Sequence, residues 1–456
     1  MSKRPLRVLR WSEMSDLDRA SLLGRGVAAI FDEQLRAGVA EIVADVRRDG
    51  DAAVIRALAR FDGVELEPDR LRVGEEEIAL ARDGLDASVR DAIRVAIANI
   101  HAFNEHLTRE REWRAELAAG HVVGEKVTPI ASAGLFVPSG KGSFPSVLVQ
   151  IGTPAVVAGV PEIAVVTPPL TGGGGAVDPA VLCVATELGI RKVFRANGPA
   201  GVAALAFGTA TFPRVRKVVG PGSPPVQAAQ IACQVHGVHT QMLLGPSECL
   251  ILADDSADVR LLAADLLNEA EHGPDSSSLL ITDSEPLVEA VQEALAAQLA
   301  DLPEPRRGYA ATALGENGGA VLAEDLEKAS EIANAYAPEH MQIVTRDDES
   351  LLERIEHAGE ILLGQSTPVS AANYTIGVPA ALPTGGYARV TSGITAETFL
   401  KRTSIARTSP GALAAMAPAI LALADHEGFP AHAAAVRARL DGRTTTASDQ
   451  EVKHHA

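Results

Sequence analysis

The sequence predicts an α/β protein whose core is parallel sheet covered by helices. Two observations carry this. From about residue 128 onward, short apolar runs of strand length alternate with longer stretches of helical spacing, the pattern of βαβ units. The chain is also 46% hydrophobic but only 4% aromatic, so its core must be built from Ala, Val, Leu and Ile, which suits helices packed on buried strands. At 456 residues it has room for two or three domains.

The first third reads helical. Val39 to Val46 and Ala52 to Leu58 carry apolar residues at helical spacing, with a break at Asp49-Gly50-Asp51. Phe61-Asp62-Gly63 closes that unit, and a long helix runs from Ala87 to Leu107. A buried strand is predicted over Ala133 to Pro138, then a loop from Ser139 to Ser143 and a helix from Ser146 to Ala158. Glu162 to Thr167 and Lys192 to Phe194 read as strands around a helix from Pro179 to Leu188, with proline at its first turn. The run Gly172 to Gly175 reads as a flexible loop. Further strands are predicted at Cys249 to Ala253, Leu279 to Thr282, Gln342 to Val344 and Ile361 to Leu363. Helices are predicted at Val259 to Ala270, Pro286 to Ala300 and Ala412 to Asp425, and the tail from Arg443 reads as disordered.

A net charge of −18 argues against nucleic acid, whose phosphates need a basic footprint. No apolar run is long enough to span a bilayer. Three cysteines in so long a chain are no disulfide framework and read as reduced thiols. Met1 to Trp11 lacks the apolar segment of a signal peptide. The expectation is a cytoplasmic protein without membrane partners.

The chemistry concentrates in a few places. Ala337-Pro338-Glu339-His340 sets a carboxylate beside an imidazole, the two commonest general acid–base groups. Pro338 pushes Ala337 out of the helical region, so the pair enters a turn. Glu269 and His272, three apart at a helix end, share a face and can reach one metal ion, although a solvated helix end has the same spacing. Cys233, His236 and His239 lack a second close pair and read as a helix end and loop. No G-x-G-x-x-G or Walker pattern is present. Gly220-Pro221-Gly222-Ser223, after a strand-like Lys217-Val218-Val219, reads as a strand-to-helix turn that could cradle a phosphate.

Taken in order, these stretches resemble the histidinol dehydrogenase family from about Val39 to about Leu440. The matching segments are Asp45 to Asp51, Phe61-Asp62-Gly63, Gly134 to Pro138, Val219 to Gly222, Gly245 to Glu248, Ala270 to Asp275, Ala337 to His340, Leu382-Pro383-Thr384 and Glu427 to His432. The resemblance implies a homodimer with two incomplete Rossmann-like domains and small terminal extensions. The boundaries expected are 1–27 for an N-terminal extension, 28–135 with 247–394 for the domain carrying the catalytic and metal site, and 136–246 for the second Rossmann-like domain. Residues 395–442 would form a helical segment contacting the partner subunit, and 443–456 the disordered tail.

The resemblance further implies two NAD-dependent oxidations of an alcohol through an aldehyde, with zinc or another divalent metal holding the substrate. His340 would take the hydroxyl proton as hydride leaves, and Glu339 would activate the water that adds to the aldehyde. The metal positions are Glu269, His272, Asn373 and His432, where the family carries Gln, His, Asp and His. One carboxylate has moved, and the ligand charge is conserved. The substrate positions are Ser247, Lys141 and Glu427, and a lysine at 141 would favour an anionic group. Pro379-Ala380 stands where the family has Asn-His. Phe136, Ala200 and Ser223 replace the Tyr, Gln and Asn usual near NAD.

These departures favour a paralog that oxidises a small polar alcohol other than histidinol, a sulfonated diol being one example. The alternatives are authentic L-histidinol dehydrogenase of histidine biosynthesis and a non-catalytic binding protein that keeps the fold.

Overall fold

The computed structural model describes residues 5–25, 31–139, 142–241 and 245–441, with Arg82 described by its backbone alone. Lys141 and the tail from Arg443 lie outside these residues, as do parts of the 1–27 extension. In chain order the strands are β1 (Val8–Arg10), β2 (Glu112–Ala118), β3 (His121–Pro129), β4 (Ala133–Phe136), β5 (Ile163–Thr167), β6 (Lys192–Arg195) and β7 (Lys217–Val219). They continue as β8 (His239–Thr240), β9 (Glu248–Ala253), β10 (Ser277–Thr282), β11 (Gly319–Leu322), β12 (His340–Val344), β13 (Glu360–Leu363) and β14 (Leu400–Thr408).

Contacts divide the chain into a larger unit, Met1–Thr108 with Pro129–Phe399, and a smaller one, Arg109–Thr128 with Leu400–Ala456. The larger unit holds two parallel sheets, ordered β1-β11-β10-β9-β12-β13 and β6-β5-β4-β7-β8. Setting β1 aside, both run third, second, first, fourth, fifth in strand order. In each the order reverses beside the first strand, at β9 and at β4, the point where doubly wound folds commonly take their ligand.

Both faces of the larger sheet are covered. Cys249, Ile251 and Ala253 of β9 pack with Leu262, Leu266 and Ala270 of the helix Val259–Ala270. Leu250 and Leu252 face the other way, onto Ile332, Ala333 and Tyr336 of the helix Leu326–Tyr336. Burial on both sides is why these strands read as unbroken apolar runs. Around the other sheet, Phe136, Val166 and Phe194 pack with the helix Gly198–Phe207 and with Val39, Val43 and Val46 of the helix Glu33–Asp49.

The predicted α/β class and most elements match the structure. The break at Asp49-Gly50-Asp51 is real: Gly50 has φ +57° and separates Glu33–Asp49 from Asp51–Ala57. The long helix spans Ala87–Leu107, with Asp86 capping it through the Ser88 N–H. Strand β4 stops at Phe136, two residues short of the predicted Pro138. The Gly172 to Gly175 run, expected to be a flexible loop, forms a turn whose Gly175 carbonyl accepts from the buried Arg195 guanidinium at 2.5 Å. The antiparallel pair β2–β3 gave no sequence signal, because every residue of β2 is exposed and no alternation marks it. The smaller unit also contains β14 and the helices Pro410–His426 and Pro430–Asp441. Among the described residues no helix is long and apolar enough to cross a membrane.

Candidate active site

The Glu339–His340 pair sits where two strands begin. The helix Leu326–Tyr336 ends on Ala337, whose φ of +50° makes it the one non-glycine residue with positive φ among those described. Pro338 does keep Ala337 out of the helical region, into the left-handed one, which costs a residue with a side chain on the order of 1 kcal/mol or more. The chain then turns so that His340 opens β12. Backbone bonds from Gly359 N–H to Pro338 O (2.9 Å) and from Glu360 N–H to Glu339 O (3.1 Å) hold the turn. Gly359 is required here, since a Cβ would meet the Glu339 carbonyl at 2.5 Å.

Register places His340 beside Glu360, the first residue of β13, and beside Cys249 of β9. Side chains alternate along a strand, so His340 shares a face with Gln342 and Val344, under the helix Val259–Ala270. The last turn of that helix brings Glu269 down onto the pair. Ligand atoms of Glu269, Glu339 and His340 lie within 4.8 Å of one another, and all three residues are buried.

The contacts give each group a distinct state. His340 Nδ1 makes a short hydrogen bond with Glu360 Oε1, and its Nε2 lies 3.8 Å from Glu339 Oε1. Burial pulls the imidazole pKa down, but the carboxylates of Glu360 and Glu339 outweigh it and lift it to about 10. Glu339 Oε2 accepts from the Glu248 backbone N–H at 3.1 Å. Burial raises the Glu339 pKa well above the carboxylate range; His340 opposes the rise, and Glu269 and Glu248 add to it. Glu248 is itself buried, ion-paired to Arg25 at 2.6 Å and accepting from Gly385 N–H at 2.7 Å. The Arg25 guanidinium stacks on Tyr336, 3.1 Å from the ring centre.

Of the expected metal positions, His272 lies with its Nδ1 3.6 Å from Glu269 Oε1 and 3.2 Å from the Asn268 carbonyl, leaving Nε2 for a ligand. Asn373 is half-buried on the short helix Val369–Tyr374. His432 and Glu427 belong to the smaller unit, where both are exposed. Ser247 is half-buried directly before Glu248, and its carbonyl accepts from Ser277 N–H at 3.0 Å. The donor set suits a divalent cation. Glu269 Oε2 and Glu360 Oε2 are buried without a hydrogen-bond partner, a costly state that a cation at Glu269 would relieve.

Phe136, Ala200 and Ser223 gather at the opposite type of edge, the C-terminal end of β4 and the first turns of the helices Gly198–Phe207 and Pro224–Gln234. The Phe136 ring wedges between the two turns. A Cβ at Gly222 would meet it at 3.2 Å and one at Gly198 at 3.5 Å. This is the edge at which doubly wound folds commonly take a ligand. Its grip on an anion is reduced, however. Prolines 224 and 225 remove the first two N–H groups of one helix, and the next two, from Val226 and Gln227, both donate to Ser223 O at 2.9 and 3.2 Å.

Sequence reasoning did not find Glu360, Glu248 or Arg25. The available signal was a lone glutamate heading each of two buried apolar runs, Glu360 before Ile361 and Glu248 before Cys249.

Comparison with known proteins fits this geometry. The family model described as histidinol dehydrogenase matches residues 28–440. The chain is 39% identical to a histidinol dehydrogenase of Synechocystis sp., covering 95% of this chain and 99% of the relative. It is 40% identical to a histidinol dehydrogenase homolog of Colwellia psychrerythraea, covering 94% and 96% respectively. The crystal structure of histidinol dehydrogenase from Elizabethkingia anophelis superposes with a TM-score of 0.92 at 30% identity, over 98% of this chain and all of that one. The buried Glu339–His340 pair therefore stands in a family framework that spans nearly the whole molecule: the chain belongs to the histidinol dehydrogenase family.

Proposed function

We propose that the chain is an NAD-dependent, metal-assisted dehydrogenase that oxidises a small polar primary alcohol through its aldehyde to the carboxylate. The observation that carries this reading is the buried trio Glu269, Glu339 and His340 with Glu360 behind it. His340 Nε2 takes the alcohol proton while Glu360 orients the ring through Nδ1. Glu339, beside that nitrogen, takes a proton from the water that adds to the aldehyde. Glu269 and His272, with Asn373 and with His432 offered from the exposed surface of the smaller unit of a partner subunit, would hold zinc. Zinc, when bound, polarises the alcohol oxygen and lowers the cost of its deprotonation. NAD, when bound, accepts the hydride. The 28–135 plus 247–394 and 136–246 segments would work as two domains in a cytoplasmic homodimer.

L-histidinol is the first substrate to test, because relatives at similar identity carry histidinol dehydrogenase as their name. The sequence alone favoured another alcohol, and that second reading keeps two supports, Asn373 in the metal set and Ala380 in place of a histidine. Relatives named as homologs stand at the same distance. The test is NADH formation by the zinc-loaded enzyme with L-histidinol and, separately, with other amino alcohols and sulfonated diols. Turnover of L-histidinol supports the first reading, turnover of another alcohol alone supports the second, and turnover of none overturns both.

The prolines make a separate prediction. Replacing Pro224 and Pro225 together by alanine restores two N–H donors at the crevice and is expected to lower the Kd for NAD roughly threefold to tenfold, the worth of one hydrogen bond. Titration calorimetry with NAD alone reads this, and an unchanged Kd would place the pyrophosphate elsewhere.

A further inference from the structure

We infer that Gln150 is a positioning residue of the active site, a clamp that sets the distance between Asn373 and the wall formed by Pro379-Ala380. The inference rests on the proposed reading that Asn373 faces the metal.

Gln150 lies in the middle of the helix Pro145–Ala158, flanked by fully or nearly fully buried Val149 and Ile151, and is itself 4% exposed. An amide buried among aliphatic residues costs about 1–3 kcal/mol unless both ends are satisfied. Here both are. Its Nε2 donates to the Ala372 carbonyl at 3.2 Å, and its Oε1 accepts from the Ala380 N–H at 3.0 Å. One side chain thereby joins two points eight residues apart on the strap that leaves the helix Val369–Tyr374. Ala372 immediately precedes Asn373. Ala380 stands two residues before Leu382, which is fully buried.

Amide side chains also hold the strap and the stretch that leads into its helix. Asn99 donates to Thr375 O at 2.6 Å, and Gln342, next but one to His340 in β12, donates to Thr367 O at 3.2 Å. Gly377, at φ +106°, lets the backbone pass close to Asn99, whose carbonyl a Cβ would meet at 2.9 Å. Asn99 fixes the strap at one place, whereas Gln342, which also donates to Gly364 O at 3.4 Å, holds only the stretch before the helix. Gln150 alone among these three ties its two ends together, so it sets the span rather than the location. A ligand on such a strap is only as well placed as the span permits, and outer groups of this kind typically govern metal affinity by tenfold or more.

Gln150→Met keeps the length and apolar volume but loses both hydrogen bonds. It is expected to weaken zinc affinity about tenfold, measured by chelator competition without substrate, and to raise the alcohol KM about tenfold with a much smaller change in kcat. Gln150→Glu retains the acceptor for Ala380 and loses the donor to Ala372. It is expected to weaken zinc and to give a KM between those of the wild type and Gln150→Met. Wild-type zinc affinity and KM in both variants, with only Tm lowered, would reduce Gln150 to a packing residue and overturn the inference. Asn373→Ala separates the two levels. If it loses zinc while the Gln150 variants do not, the clamp fails and the site reading stands; if it keeps wild-type zinc affinity, the site reading itself fails.

Discussion

Alanine at His340 is expected to lower kcat for alcohol oxidation by about two to four orders of magnitude, the usual worth of a positioned general base. The imidazole is 3% exposed, bonded through Nδ1 to Glu360 and with Nε2 3.8 Å from Glu339, so its removal takes away the ring nitrogen placed for the proton. The sign of the pH dependence follows from its surroundings. A base works only when unprotonated, and the flanking carboxylates of Glu360 and Glu339 overcome burial to raise the imidazole pKa to about 10. The reactive fraction therefore grows as pH rises toward that value, and the initial rate of NADH formation should climb through the alkaline range. In His340→Ala that climb should flatten along with the rate. A variant that keeps the wild-type rate and slope would remove His340 from the proton path.

Glu360→Gln should cost nearly as much, about two to three orders of magnitude in kcat, although among the described residues its side chain hydrogen-bonds only the imidazole. With a carboxylate on Nδ1 the ring carries its hydrogen there and leaves the lone pair on Nε2, toward Glu339. A glutamine can turn its amide N–H to Nδ1 and place the hydrogen on Nε2, the wrong tautomer for a base. The same change removes the largest of the charges that raise the His340 pKa, so the rising limb of the pH–rate curve should move to lower pH. A merely structural role would lower Tm and leave that limb in place. Rate loss together with the displaced limb identifies Glu360 as the orienting carboxylate; loss of stability alone would not.

Much of this site is legible in the chain itself. Glu339 and His340 are adjacent, and Glu269 and His272 are one helical turn apart, so local geometry alone puts each pair together. The strands of the parallel sheets are visible because burial on both faces leaves them apolar throughout. Glu360 is not visible as a partner of His340, because twenty residues separate them and only the β12–β13 register makes them neighbours. Glu248 and Arg25 are further apart still, and nothing local in the sequence marks them as a buried pair. The hairpin β2–β3 is silent for the opposite reason, since an exposed strand needs no hydrophobic pattern.

The sequence by itself determined the α/β class, the helix and strand alternation, and the presence of a carboxylate–imidazole pair at a forced turn. Each of these is set by residues close together in the chain, through backbone sterics and hydrophobic period. The tertiary structure alone decided that the pair lies at the beginning of the strands rather than at their carboxyl ends, that Glu269 descends onto it from the covering helix, and that Gln150 spans the strap bearing Asn373. Those relations join residues up to 230 positions apart. They depend on sheet order and register, which short-range spacing does not encode.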